Sequence, residues 1–357
     1  MPRPPLDRLT PSRILLIKPS ALGDIVHSLP VLSALRRRYP AAHLSWLVNR
    51  SYEPLVAGHP DLDATLIFDR GALKAGSISA VRSIASLWRT LRRGRFDLVI
   101  DLQGLLRSGL MTRATGAARR VGLAGSREGA RWFYTDILPD PGRAGLHAVD
   151  RYWLVAQALG AATAPPRFHL PVAPQAAAWA ETTLAALPRP WLVLAVGSRW
   201  ETKCWPPAHF AGLAGRAQAE FGGSVVFVGG PEETPLAAQV AARLPGPSLD
   251  LTARTTLPQL AAILARADVM VGNDTGPLHV AVALGRPVVA PYTCTKANLT
   301  GPYGQTTRAV ETKVWCAGSY LRRCDRMECM AELTPEPRGR WKTGCTLHRR
   351  TCFPSCS

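Results

Sequence analysis

The chain has 357 residues, 47% of them hydrophobic, which is too long for one ordinary core and ample for two. Its 43 lysines and arginines against 25 acidic residues leave a net charge of +18, a surface that attracts polyanions, yet no aromatic-basic RNA motif or zinc-finger spacing places nucleic acid among its partners. No apolar run nears the roughly 18 residues that cross a bilayer, and the Pro-rich start MPRPPLDRLTPSR lacks the apolar stretch of a signal peptide, so a cytosolic protein is expected.

Residues 1–12 read as a disordered tail. RILLIK at 13–18 is a buried strand, followed by the loop 19–24, a helix over 25–38 and a second strand at 43–48. The segment 78–91 sets Ile78, Val81, Ile84, Ala85, Trp88 and Leu91 on one face with Arg82 and Arg89 elsewhere, an amphipathic helix whose apolar face predicts core packing. FDLVIDL at 96–102 is another buried strand, ending at Gln103-Gly104. This alternation implies a parallel sheet covered on both faces, a first domain over 13–170. Prolines then crowd the stretch 171–190 around one Ala-rich helical segment, the expected linker. Alternation restarts with a strand at 191–196, a helix at 209–220 and a strand at 224–228, giving a second domain of like plan over 191–335 and a basic Cys-containing tail over 336–357.

The segment 267–293, ADVMVGNDTGPLHVAVALGRPVVAPYT, reads as strand, loop, helix, strand. The loop is Asn273-Asp274-Thr275-Gly276, Pro277 opens the helix, and Gly285 lies past its end. A helix start leaves backbone N–H groups unpaired and carries partial positive charge, so a diphosphate against Thr275, Gly276 and the first turn would be stabilised. His279 lies one turn in, on the same side. A plain βα turn, with Asp274 and Thr275 capping the helix and His279 packed inward, fits the same letters.

Of eight cysteines, Cys204 and Cys294 stand alone and six crowd residues 316–356. Their separations contain no C-x₂-C pair, and a cytosolic setting argues against disulfides, so neither a metal site nor a cofactor is expected.

Open parallel sheets bind ligands beyond the carboxyl ends of their strands, so the loops after each strand are expected to meet at a crevice between the halves. The first half brings Ser20, Gly23, Asp24, Gln103, Gly104, Arg107 and Ser108. The second brings Ser198, Lys203, Glu232, Glu233, Asp274, Thr275, Gly276 and His279.

Taken in order, KPSALGDIVHSLP, DLVIDLQGLLRS, GSRWETKCWP, VGGPEE, GNDTGPLHVAVALGRPVV and GPYG resemble the family-nine glycosyltransferases, the ADP-heptose:lipopolysaccharide heptosyltransferases, over residues 13–334. SREGARWFYT at 126–135 and HAVDR at 147–151 are most like the heptosyltransferase I branch. The resemblance implies an α/β fold of GT-B architecture, two Rossmann-like domains with parallel sheets facing across a cleft. It also implies an inverting, metal-independent transfer of heptose from ADP-L-glycero-D-manno-heptose to Kdo of the lipid A inner core. Asp24 matches the family's catalytic base, Lys203 its diphosphate-contacting lysine, and Asp274, Thr275, Gly276 and His279 its donor loop.

Inversion requires an acceptor hydroxyl to attack from the face opposite the leaving ADP, so a base and a diphosphate clamp belong on opposite walls. Charge on the departing diphosphate would be met by Lys203 and the N–H groups at Thr275 and Gly276. Asp274 is then expected to hold heptose hydroxyls and Glu232 or Glu233 the adenosine ribose, with Ser198 also on the donor side. Ser20, Gly23, Gln103, Gly104, Arg107, Ser108 and Arg127 fall to the acceptor. Plainer readings stand beside these: Asp24 as the N-cap of the 25–38 helix, Lys203 as a surface lysine, and Gln103, Arg107 and Ser108 as loop caps. The family's C-x₂-C-x₄-C run is broken here, with Ser319 in the second place after Cys316, and a role needing four thiols is not expected.

The expected partners are the ADP-heptose donor and an anionic Kdo-lipid A acceptor, met by the basic N-terminal half through a peripheral contact at the inner face of the cytoplasmic membrane. A relative using another NDP-sugar or acceptor, such as a later core heptose or a protein hydroxyl, would carry the same motifs. A non-catalytic polyanion- or membrane-surface-binding protein would keep the fold and the charge but release no ADP.

Overall fold

The computed structural model describes residues 3–69, 71, 77–141 and 145–335, and the tail expected over 336–357 lies outside them. The chain divides after Pro171 into two units. The first contains β1 (Arg13–Ile17), α1 (Leu22–Arg38), β2 (His43–Asn49), α2 (Glu53–Val56), β3 (Ala64–Phe68), α3 (Ser77–Arg93), β4 (Leu98–Asp101), α4 (Leu106–Ala114), β5 (Arg119–Leu123), β6 (Asp136–Leu138) and α5 (Ala148–Ala158). The second contains α6 (Pro174–Leu184), β7 (Trp191–Ala195), α7 (Pro207–Phe221), β8 (Ser224–Phe227), α8 (Thr234–Ala241), β9 (Ser248–Asp250), α9 (Leu257–Arg266), β10 (Val269–Gly272), α10 (Gly276–Ala283), β11 (Val288–Tyr292), α11 (Ala297–Thr300), β12 (Ala309–Glu311) and α12 (Glu328–Glu332).

Every strand is parallel to its neighbours, because each crossover returns through helix or loop to the same end of the sheet. Ile14, Leu15, Leu16 and Ile17 of β1 are at most 1% exposed, apolar on both faces as a strand covered on two sides must be. The first sheet has the order β3-β2-β1-β4-β5-β6 and the second β12-β11-β10-β7-β8-β9. Counted from the first strand of each unit, the two orders are the same. Strand order reverses between β1 and β4 and between β7 and β10, and the crevice outside such a reversal is where doubly wound sheets hold ligands.

Two boundaries differ from expectation. Residues 3–12 are tied down rather than disordered: Leu6–Arg8 form a 3-10 turn, Arg119 donates to the Pro4 carbonyl at 2.6 Å, and Arg38 donates to the Asp7 carbonyl at 2.9 Å. The stretch 171–190 contains α6, which packs on α9 and so belongs to the second unit. The third difference concerns α3. Leu91 is buried and Leu87 leans on the core of Leu15, Ile17, Phe68 and Met111, whereas Val81, Ile84 and Trp88, expected inside, are 64%, 50% and 46% exposed.

Candidate functional site

In the first unit α1 begins at Leu22 with Ala21 as its N-cap, so Asp24 is the third helical residue and not the cap. Its carboxylate turns back to accept the Ala21 N–H at 3.2 Å and also accepts the Tyr152 O–H, from α5, at 3.0 Å. The Lys18 ammonium, just past β1 and 2% exposed, donates to the Tyr152 oxygen at 2.7 Å and the Leu102 carbonyl at 3.0 Å, and lies 3.7 Å from Asp24. Ammonium, phenol and carboxylate thus form one hydrogen-bonded chain. Burial works against the Asp24 charge, but Lys18, the Ala21 N–H and the Tyr152 O–H outweigh it and hold the carboxyl below the usual carboxylate range. The Asp24 side chain stays 39% exposed, so an ionised carboxylate still reaches solvent.

The loops after β1 and β4 are joined by the Ser20 N–H, which donates to the Gln103 side chain at 3.3 Å. Asp101, 1% exposed at the end of β4, organises the second loop by accepting the Gln103 and Gly104 N–H groups at 2.8 and 3.1 Å and the Tyr134 O–H at 2.7 Å. Burial pushes its carboxyl up despite these donors. Gly104 turns at φ +63°, and a Cβ there would stand 3.0 Å from Ser126. Ser108 is fully buried; it accepts the Leu105 N–H at 3.0 Å and donates to the Leu105 carbonyl at 2.8 Å, so its hydroxyl caps α4, the plainer of its two readings. Ser20, Gly23 and Arg107 are half-buried near the same strand ends, and Arg127 is exposed with its N–H on the Gly104 carbonyl at 2.8 Å.

In the second unit the fully buried Asn273, directly after β10, acts as a clasp. Its amide donates to the Val196 and Gly197 carbonyls at 2.9 and 3.3 Å, and its oxygen accepts the Trp205 N–H at 3.0 Å. The ends of β7 and β10 are thereby fastened to the loop that carries Lys203. Thr293 donates to the Thr202 carbonyl and Thr202 to the Leu321 carbonyl, fixing that loop again. The Lys203 ammonium then donates to the Asp274 carboxylate at 2.6 Å, with the Trp200 ring 4.8 Å away.

The same carboxylate meets His279 Nε2 at 3.4 Å and accepts the Tyr292 and Thr295 hydroxyls at 3.1 and 2.9 Å. Burial would raise its pKa, but His279 and Lys203 reverse this and hold the carboxyl far below the usual range. Tyr292 is pushed well above the ordinary tyrosine range by burial and by Asp274, and so stays a donor. At 7% exposure, Asp274 has both oxygens engaged by protein side chains. His279, 6% exposed, packs inward with it. What remains at the surface is the edge of Lys203 with Thr275 and Gly276, where Thr275 caps α10 without a side-chain bond to the first turn.

Ser198 is half-buried at the head of the Lys203 loop, and its hydroxyl is 3.5 Å from the Trp200 N–H. Glu233 accepts the Gly230 N–H at 2.5 Å and lies over Gly197, where an added Cβ would come within 2.1 Å of it. It therefore bridges the ends of β7 and β8, while Glu232 beside it is exposed. Lys18 and Tyr152 in the first unit, and Tyr292 and Thr295 in the second, were not singled out from the sequence. The available signals were the Lys in KPSALGD and the hydroxyls in YTCT at the end of β11.

Among the described residues, His59, Asp61 and His169 bring one donor atom each within 4.8 Å of one another. Both His59 nitrogens are engaged by backbone, Nδ1 accepting the Asp61 N–H at 3.1 Å and Nε2 bonding the His169 carbonyl at 2.8 Å. The cluster pins the end of the first unit to the loop after α2. An apolar cavity lined by Leu192, Leu213, Phe221 and Val269 lies by the amino-terminal ends of β7 and β10, away from these loops.

Residues 84–331 match the model of glycosyltransferase family 9 (heptosyltransferase). The chain is 33% identical to lipopolysaccharide heptosyltransferase 1 of Pseudomonas aeruginosa over 333 residues, 87% of each protein. It is 25% identical to the lipopolysaccharide core heptosyltransferase OpsX of Haemophilus influenzae, over 86% of each. Among solved structures it is similar to a family 9 glycosyltransferase from Veillonella parvula, with 25% identity and a TM-score of 0.76 over 86% of this chain and 87% of that one. The E. coli heptosyltransferase WaaC solved with ADP is also similar, with 25% identity and a TM-score of 0.72 over 90% of this chain and 96% of that one.

Proposed function

The chain belongs to glycosyltransferase family 9, the heptosyltransferases, and from that premise we propose that it transfers heptose from ADP-L-glycero-D-manno-heptose to Kdo of the lipid A inner core in lipopolysaccharide biosynthesis. Its two Rossmann-like units, each with a six-stranded parallel sheet, are those of a GT-B enzyme. The observation that carries the reading is the mouth of α10. An ammonium held 2.6 Å from a buried carboxylate, beside the first-turn N–H groups after Thr275, is a positive site set in advance for a departing diphosphate. The relatives named for heptose transfer, and WaaC solved with ADP and with ADP-2-deoxy-2-fluoro heptose, support an ADP-sugar as donor.

In this reaction an acceptor hydroxyl attacks the anomeric carbon, the carbon–oxygen bond to the diphosphate breaks, and Asp24 takes the hydroxyl proton. An ionised carboxylate with a lowered pKa is a weak base, so its proton transfer belongs late, when the new bond has already acidified the hydroxyl. Lys203 and the N–H groups at Thr275 and Gly276 receive the charge of the leaving ADP, with Ser198 beside them. Asp274 and His279 are positioning residues that hold Lys203 at the helix mouth. The exposed Glu232, with Glu233 behind it, is assigned to the adenosine ribose. Ser20, Gly23, Gln103, Gly104, Arg107 and Arg127 are assigned to the acceptor, the arginines to its carboxylates and phosphates. Incubation with ADP-heptose and Kdo-lipid A, followed by ADP release and product mass, tests the reading. ADP release and a product heavier by one heptose are expected. Turnover with a different NDP-sugar or acceptor, and none with this pair, would replace it.

A further inference from the structure

Among the described residues nine large apolar side chains are strongly exposed, and seven of them belong to the first unit, so the apolar surface is concentrated there. Six occupy adjoining elements: Val81, Ile84 and Trp88 on α3, Leu106 and Leu110 on α4, and Trp132 on the 3-10 turn Ala130–Phe133. α3 touches α4, and α4 touches that turn. Single exposed apolar residues are ordinary, but a set spread over neighbouring elements marks an interaction surface. Spacings of three and four put Val81, Ile84 and Trp88 in one exposed stripe, while Leu87 and Leu91 on the adjoining face of α3 pack on the core.

The charge beside this stripe is of one sign. Residues 70–96 contain seven lysines and arginines and no acidic residue, and residues 1–171 contain 24 basic against 12 acidic residues, so most of the +18 resides in the first unit. On α3 the exposed Arg82, Arg89, Arg92 and Arg93 fall next to the stripe. An apolar strip bordered by guanidiniums is the chemistry of a helix lying in a bilayer interface, where apolar groups enter the acyl boundary and cations meet lipid phosphates. A second copy of the same face would bring like charges together. We infer that the α3–α4 face of the first unit docks on an anionic lipid bilayer.

Because α3 follows β3 in a parallel sheet, Val81 and Ile84 lie toward the carboxyl ends of the strands, the end that carries Asp24. Docking there presents that end of the unit to an acceptor carried by lipid, and in this respect the inference deepens the transferase reading. Its test needs neither substrate. Full-length protein is sedimented at low salt with vesicles of phosphatidylcholine alone or of equal parts phosphatidylcholine and phosphatidylglycerol. Binding is expected to the anionic vesicles only, to weaken with salt, and to fall about tenfold or more in a variant carrying Val81→Ser, Ile84→Ser and Trp88→Ser. The melting temperature of that variant should match the wild type, since the side chains are exposed. A second variant, Arg82→Gln with Arg89→Gln and Arg93→Gln, should lose anionic binding without touching the apolar stripe. Wild-type protein left in the supernatant, equal binding to neutral vesicles, or unchanged binding by both variants overturns the inference. A change from dimer to monomer in the first variant, with vesicle binding intact, assigns the face to a second copy instead. Failure of ADP release bears on the transferase reading and leaves this result standing.

Discussion

Asp24 has to be ionised to accept a proton, and a lysine just before it in sequence together with a tyrosine 128 residues after it keep it so. Asp24→Ala is expected to lower turnover by about 10² to 10⁴ fold while ADP-sugar affinity is kept, measured by steady-state kinetics beside direct ADP binding. Lys18→Met removes the strongest influence favouring the Asp24 charge. The wild-type carboxyl sits below its usual value of about 4, so activity should persist down to that pH and fail as pH drops through the lowered pKa. In Lys18→Met the acid limb of kcat/KM should move to higher pH, and an unmoved limb would exclude the pair as the cause. At the other site, Lys203→Ala leaves Asp274 buried with three partners in place of four, an expected loss of about 1–3 kcal/mol in urea denaturation. The sign with pH follows from the lowered Asp274 pKa. Its stabilisation is present above the unfolded value of about 3.9 and is lost as pH falls through the folded value, so the variant should show a shallower acid loss than the wild type. Adding Asp274→Asn should recover stability but not donor binding. The loops that carry Asp24 and Lys203 and the 273–276 turn were legible in position, because each follows directly on an apolar strand. Lys18 and Tyr152 were not, since Tyr152 meets Asp24 across 128 residues and Lys18 across 134, a pairing created by the packing of α5 on α1. The inward turn of Asp274 was equally hidden, because the letters for a cap and for a ligand are the same.

At the scale of elements, Asn273 is the part on which the donor side depends, since one amide joins two strand ends and a loop. Asn273→Ala leaves backbone groups at Val196, Gly197 and Trp205 without that partner and should cost about 2–4 kcal/mol in denaturation, with weaker ADP binding by calorimetry. Retained ADP affinity would mean that the Lys203 loop holds its place by Thr293 and Leu321 alone. The central strands β1, β2, β4, β7, β8 and β10 were readable as apolar runs bounded by turn residues. The three-residue strands β6, β9 and β12 were not, because a segment that short becomes a strand only through the neighbour it pairs with. The period of α3 was read correctly and its orientation was not. Amphipathy says that two faces differ; which one finds a sheet depends on what lies beneath.

At the scale of the whole molecule, Asp24 and Lys203, the proposed base and diphosphate contact, fall in separate units, and their substitutions should separate as well. ADP at about a hundredfold its Kd should add about 2.7 kcal/mol to the second unit, a rise of roughly 5–10 °C in its thermal transition. Asp24→Ala should keep that rise and Lys203→Ala should lose most of it in scanning calorimetry. Loss of the rise in both variants would contradict the division of labour. The repeated strand order has a further consequence, for the nascent chain. Ile14 must wait for Leu98, and Leu192 for Val269, before the middle of either sheet can zip. As the polypeptide leaves the ribosome, a half-sheet of three strands forms with one bare inner margin, and the seam that closes over that margin is also the rim of the ligand crevice. A nucleotide can therefore lock the finished fold, but it arrives too late to seed it.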